Sequence, residues 1–413
     1  MSPAGTPAGP RRSVVTGIGV AAPNGLGAAA WWRATLAGRG GLGPLTRFDA
    51  SGYPVRIAGE LPGFVDEEHV PSRLLPATDR VARIALAVAK EALGDSGADP
   101  GALAEYGAGV VTASSAGGTE FGQRGLAALW AEGAQRVSTY HPVACFHAAG
   151  TAQISIRHAL RGPGSAVVSE QAGGIDALAR SRRWIREGAE LVVTGGVDST
   201  LSPWAWAAHL ADGRLSTVAD PERAYLPFDR DACGHAVGEG GALLVVEEEA
   251  AAARRGAVGY GRVAGCAATF DGAGVPRLRE AAELALADAG LGADRIGAVF
   301  ADGAGLRAAD DAEAAALCAL FGPYGVPVTA PKSMTGRLGA GGSSLDLAAA
   351  LFSLRDRVVP PTTGTRRLPA EYRLDLVTGA PRELPDLRAV LVLARGRGGF
   401  NSAAVVTAVP KPA

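Results

Sequence analysis

The stretch VVSEQAGGIDAL, residues 167–178, puts Gln171 where a short apolar strand turns into a helix, a bend at which many enzymes hold a nucleophile. A helix N-terminus aimed at such a residue lowers the pKa of a thiol and offers backbone N–H groups to an oxyanion. Glutamine attacks nothing. Its amide both donates and accepts hydrogen bonds, so at the bend it can fill a polar pocket or imitate a bound acyl carbonyl. Glu170, beside it, reads as a satisfied buried carboxylate. The run HPVACFH (141–147) brings His141, Cys145 and His147 close together, but the spacing fits neither a helical nor a finger site and no second ligand cluster follows, so no metal is expected. GIGVAAPNGLG (17–27) lacks the glycine spacing of a dinucleotide loop and reads as a tight strand-to-helix turn; no cofactor is implied. Lys332 stands out because the only other lysines are Lys90 and Lys411.

The elements that must hold these residues are short apolar runs alternating with Ala-rich stretches. SVVTGIGV (13–20), GAGVVTAS (107–114), SAVVSE (165–170), LVVTGGV (191–197) and GALLVVEE (241–248) read as strands, and 79–95 and 171–187 as helices. Continuous rather than alternating hydrophobicity in the strands predicts sheets covered on both faces, hence an α/β layering.

The chain has 413 residues, 47% of them hydrophobic, enough for one large core or two fused ones. A formal net charge of −1 leaves no electrostatic footprint for nucleic acid or an anionic membrane. No segment carries the roughly eighteen apolar residues that span a bilayer. Cys145, Cys233, Cys266 and Cys318 are scattered without CxxC spacing, and MSPAGTPAGPRR (1–12) reads as a disordered tail and not a signal peptide. A cytoplasmic protein with free thiols is the expectation.

One internal echo stands out. Residues 91–114 and 284–305 share a helix, an AL-x-D-x-G ending, a short turn with Asp, and a strand that runs into small residues. Two similar halves follow, 13–255 and 256–413, with loops at equivalent strand ends meeting at one site. The loops at Gln171, Asp302 and Arg337 are the candidates.

SEQAGGIDAL, GGVDSTLSPWAW (195–206), ADGAGL (301–306) and KSMTGRLGAGGSSLD (332–346) together resemble the β-ketoacyl synthases of the thiolase fold, and within them the chain-length factor, the ketosynthase β subunit, of type II polyketide synthases. The likeness runs from VVTGIGVAAPNGLG (14–27) through TRFDASGYPVRIAGEL (46–61) and YLPFDRDACGHAVGEGGALLVVEE (225–248) to RGRGGFNSA (395–403). It implies a five-layer αβαβα architecture of two pseudo-duplicated halves.

Active ketosynthases carry a cysteine at the elbow and two histidines in motifs of the type HGTGT and GHSLG. By the resemblance the cysteine position is Gln171 and the histidine positions are Asp302 and Arg337, while Lys332, Asp310 and Glu313 remain; no histidine occurs after His235. The family's flexible Gly-Phe-Gly-Gly loop becomes Gly396, Arg397, Gly398 and Gly399, losing its gating phenylalanine at Arg397. Condensation needs a thiolate and donors for an enolate, and an aspartate set where negative charge must develop opposes it. Asp302 and Arg337 are therefore expected to form an ion pair that plugs the pocket, because either charge buried alone costs several kcal/mol.

The resemblance also implies a partner, a ketosynthase α subunit, and an acyl carrier protein bearing phosphopantetheine that supplies the polyketide intermediate. In GGTEFGQRGLAALW (117–130) Thr119, Gly122 and Leu126 share one helical face and match positions that line the family's polyketide tunnel, with Phe121 on a different face. Medium, absent and medium side chains there imply a long tunnel. The rival expectation is an autonomous thiolase-fold enzyme, a malonyl decarboxylase or thioester hydrolase, that has redeployed the pocket through His235, Glu170 or a cysteine.

Overall fold

The computed structural model describes residues 11–409. The tail expected at 1–12 lies outside them except for Arg11 and Arg12, and the Arg12 carbonyl already accepts a hydrogen bond from the Glu249 amide.

In chain order the first half contributes β1 (Ser13–Ala22), α1 (Arg80–Ser96), β2 (Ala108–Ala113), α2 (Thr119–Glu132), α3 (Ala149–Arg157), β3 (Gly164–Val167), α4 (Gly173–Glu187), β4 (Leu191–Asp198), α5 (Pro203–Asp212) and β5 (Gly240–Glu248). The second contributes β6 (Gly261–Phe270), α6 (Leu278–Ala289), β7 (Ala298–Phe300), α7 (Arg307–Phe321), β8 (Pro327–Thr329), α8 (Ala340–Asp356), β9 (Asp375–Leu376), β10 (Ala389–Gly396) and β11 (Phe400–Thr407). Strands pair in the order β1-β5-β4-β2-β3 in one half and β6-β11-β10-β7-β8 in the other. Directions match too: antiparallel for the first two pairings of each set, parallel for the last two. The same path is traced twice, and β1 joins β6 through Val14 and Val15. β9 extends the second half at its edge.

The layers follow from what each helix can bury. α8 is apolar or small all round apart from Asp346 and is enclosed from Ala340 to Leu354, as a helix between two sheets must be. α4 packs on it, and the pair fills the middle of the molecule, with α1 covering β1 and β5 outside and α6 covering β6 and β11 on the far side. This is the five-layer αβαβα thiolase-like arrangement. The two echoed segments fold alike. α1 and α6 each end on a left-handed glycine, Gly97 and Gly290, and pass through a 3-10 turn into β2 and β7.

One strand expectation overran. The run 165–170 leaves the sheet after Val167, because Glu170 takes a left-handed φ of 50° and starts a 3-10 turn, Glu170–Ala172, that delivers the chain into α4.

Candidate functional site

Gln171 sits in that turn with 0% of its surface exposed, and neither its Nε2 nor its Oε1 has a hydrogen-bond partner among the described residues. Its amide presses on Gly342 at the start of α8, where an added Cβ would lie 2.1 Å from Nε2. The Gly174 amide donates to Ser343 Oγ at 3.1 Å, so the N-terminal ends of α4 and α8 are tied together around the glutamine. The expectation that the amide would satisfy a polar pocket or stand in for an acyl carbonyl is corrected here. It fills space between two helices and does not line the cavity. Leaving such an amide unpaired costs about 1–3 kcal/mol.

Asp302 follows β7 and Arg337 precedes α8, and both are buried. Arg337 Nη2 lies 3.1 Å from Asp302 Oδ1 and Nη1 3.2 Å from Oδ2, a two-pronged pair of the kind a planar guanidinium favours. The expected ion pair is present. It is locked further by β10: the Arg395 amide donates to Asp302 Oδ1 at 3.0 Å, and Arg337 Nη2 donates to the Arg395 carbonyl at 2.9 Å. Burial pushes the Asp302 carboxyl up, but the Arg337 and Lys332 charges outweigh it and hold it below the usual carboxylate range. Burial likewise works against the Arg337 cation, and Asp302 holds it well above its ordinary value.

The loop that carries Asp302 is clamped by α7. Glu313 accepts from the Asp302 and Gly303 amides, both at 2.8 Å, and Asp310 accepts from Phe228 and Gly305 at 2.9 and 3.2 Å. Lys332 reaches the Ala301 carbonyl and Asp346 Oδ2, each at 2.6 Å. The retained charges thus brace the loop from behind.

In front of the pair opens a cavity of about 1210 Å³, above the usual ~300–1,000 Å³ of small-molecule sites. Asp302 and Arg337 line it, as do Glu170, His235, Thr119 and Arg397; Gln171 and all four cysteines do not. Glu170 is half-buried on this wall, not fully enclosed, and accepts from the Arg397 amide at 2.9 Å. Arg397 Nε lies 3.2 Å from Asp212 Oδ1, and with Gly398 and Gly399 at φ 90° and 105° the β10–β11 hairpin lies across one end of the cavity. Burial, and then Arg337, holds His235 well below its ordinary pKa.

The three tunnel positions separate. Thr119 is on the cavity wall; Gly122 backs onto Trp204, whose Cζ3 would lie 3.0 Å from an added Cβ; Leu126 is 39% exposed on the outer surface. Phe121 is buried on another face. Residues not singled out from sequence also line the cavity: Thr200, Trp204, His209 and Arg395. The first three fall in or just after GGVDSTLSPWAW, whose unusual pair of tryptophans was the available signal. His141 and Cys145 approach one another at 3.9 Å, yet among the described residues no three His, Cys, Asp or Glu side chains gather closely enough to hold a metal.

Chemically the site has no thiol on its wall, an aspartate and an arginine at the two matched histidine positions, and an anion fixed at its floor. It has the body of a condensing enzyme without the reacting groups. Family models agree with that body: the chain matches "Beta-ketoacyl synthase, N-terminal domain" over residues 11–252 and "Beta-ketoacyl synthase, C-terminal domain" over 260–366. The chain belongs to the β-ketoacyl synthase family. Within it, the sequence is 55% identical to the Streptomyces coelicolor protein named as actinorhodin polyketide beta-ketoacyl synthase 2, over 95% of this chain and 98% of that one. It is 51% identical to the tetracenomycin polyketide synthase ketoacyl synthase beta subunit of Streptomyces glaucescens, over 96% and 98%. Among solved structures, the ishigamide ketosynthase/chain length factor matches with TM-score 0.86 and 29% identity, over 97% of this chain and 100% of that one. Among the described residues no helix is long and apolar enough to cross a membrane.

Proposed function

We propose that this chain is the non-catalytic chain-length factor of a type II polyketide synthase: it pairs with a ketosynthase α subunit and shapes the space that sets the length of the polyketide. The observation that carries the reading is the Asp302–Arg337 pair, which stands at the positions matched to the two catalytic histidines and is fixed by β10 from both sides. An oxyanion or enolate formed there would face a carboxylate instead of a donor. Gln171, at the position matched to the cysteine, is sealed between α4 and α8. Of the groups the rival reading would redeploy, His235 and Glu170 line the cavity and none of the cysteines does; a decarboxylase must stabilise an enolate, and the Asp302 carboxylate fixed at the floor opposes that.

A subunit of this kind must present a large apolar face to its partner. β3 is the outer strand of its sheet, with α3 and its 76% exposed Ile156 packed on it, and Trp130 on α2 and Phe146 just before α3 are 84% and 62% exposed. An isolated monomer gains nothing by showing them. The acyl chain is carried on the partner's cysteine and delivered by the phosphopantetheine arm of an acyl carrier protein, in the cytoplasm; Thr119 lines the cavity, while Gly122 backs onto Trp204 and Leu126 lies on the outer surface toward the partner. Co-expression with a ketosynthase α subunit tests the reading: a stable heterodimer that makes polyketide, with an aggregating lone chain, is expected. A soluble lone chain that turns over malonyl thioesters and ignores the ketosynthase would refute it.

A further inference from the structure

We propose that the hairpin between β10 and β11 is a latched strap and not a gate. The Arg397 side chain ties it to the end of α5, Glu170 ties its backbone to the turn before α4, and the strap holds this end of the cavity at one shape. A hinged loop opens and closes around a reacting group, and this cavity has no thiol on its wall to serve.

The segment from Gly396 to Asn401 is held at its start, its tip and its end. At the start, Gly396 lies so close to the Ser169 carbonyl that an added Cβ would come within 2.3 Å of the oxygen, and the Arg397 amide donates to Glu170 Oε2 at 2.9 Å. At the tip, Arg397 Nε lies 3.2 Å from Oδ1 of Asp212, the last residue of α5. At the end, the Asp271 amide donates to the Gly399 carbonyl at 2.8 Å, and Asp271 Oδ1 accepts from Asn401 Nδ2 at 2.6 Å. Asp271 Oδ2 also stands 3.7 Å from Arg395 Nη2, so one carboxylate reaches both strands of the hairpin. Carboxylates from three separate elements thus converge on one short turn.

The latch also joins the two halves, since Glu170 and Asp212 belong to the first and Arg397 to the second. The cavity lies between α5 and α7, whose Ala208 and Ala308 line it and are exposed, so a tie from the hairpin to the end of α5 restrains one edge of the opening. Glu170 presents its carboxylate from a left-handed φ of 50°, a conformation that a side chain with a Cβ rarely adopts. Strain of this kind persists only where the surroundings hold it, and the bond to the Arg397 amide is one of the contacts that do. Gly398 and Gly399, at φ 90° and 105°, supply the backbone freedom that would let the tip swing without the latch. A phenylalanine in place of Arg397 has no charge with which to pair Asp212.

Hydrogen exchange of the purified heterodimer, followed by mass spectrometry, reads the strap directly. In the parent the amides between 396 and 401 should be protected. Arg397→Ala should speed their exchange about threefold, the worth of a half-exposed ion pair. Glu170→Ala should speed it about tenfold, because a charged acceptor is lost from a backbone amide. Raising salt from about 0.1 to 1 M should loosen the parent strap and do much less in Arg397→Ala, a response that a strap held by shape alone does not give. The Arg397 side chain is half-exposed, so its variant folds, and the amides of α4 and α8 should stay as protected as in the parent. Hairpin amides that exchange in both variants at the parent's rate, whether that rate is fast or slow, would overturn the latch. Formation of the heterodimer bears on the chain-length reading and exchange at the hairpin on the latch, so failure of one is told apart from failure of the other.

Discussion

Arg337 grips both carboxylate oxygens of Asp302, at 3.1 and 3.2 Å, and the backbone of Arg395 completes the hydrogen bonding of each partner. Two residues at positions matched to catalytic histidines have become a buried ion pair, and the pair occupies the floor of the cavity as a fixed structural part.

Breaking it from one side should be costly. Asp302→Ala leaves a buried guanidinium without its anion, and about 3–5 kcal/mol of stability should be lost. Replacing both residues together, Asp302→Leu with Arg337→Met, should cost much less. Urea unfolding of the purified heterodimer measures both; equal losses in the single and double variants would contradict the pairing energetics.

The stability contributed by Glu313 and Asp310 should fall as pH rises from about 4 to 8, against the opposite contribution of the buried neutral His209 and His235 below about pH 6.5. Burial pushes Glu313 up to about 7 and Asp310 up to about 8, with neighbouring carboxylates adding to each. The folded chain therefore keeps protons that the unfolded chain releases near pH 4, and it loses that advantage as pH climbs through the folded values. Glu313 faces Asp302 and Lys332, so the ionised form is partly balanced. Glu313→Gln should remove its share of that fall between about pH 5 and 7 while costing one of the two amide contacts. Denaturation midpoints across this range check the sign; an unchanged slope in the variant would count against it.

Gln171 and Gly342 should behave as one unit. Every atom nearest to an added Cβ at Gly342 belongs to the Gln171 amide, the closest at 2.1 Å. Gly342→Ala alone should cost about 1–3 kcal/mol by overpacking, and Gln171→Ala in the same chain should return a large part of it. A thermal double-mutant cycle with no coupling would show that the two do not press on one another.

Gly122→Phe should displace Trp204, 3.0 Å away from an added Cβ, and shorten the polyketide. Product masses from the co-expressed heterodimer read this directly; an unchanged chain length removes Gly122 from the measuring wall.

Much of this was legible in the chain. The strands of the first half announced themselves as unbroken apolar runs because both sheet faces are covered, and the two echoed segments share a glycine-ended helix, a 3-10 turn and a strand. Asp302 and Arg337 could be paired before the fold was seen, since neither charge tolerates burial alone. Orientation was not legible. The 3-10 turn that starts at Glu170 turns Gln171 into the helix packing and leaves Glu170 on the cavity wall, and no side-chain pattern reports that one-residue rotation. Thr200 and His209 were overlooked because a threonine just past a strand and a histidine late in α5 carry no spacing signal; only the fold brings them to one wall.

Intact-protein mass spectrometry of the purified heterodimer, incubated with an acyl donor and malonyl-loaded carrier protein, asks the central question. The account predicts that acyl groups accumulate on the ketosynthase partner alone, and that Gln171→Cys does not change this. An acyl adduct on this chain as it stands, or malonyl extension by the chain without its partner, would contradict it.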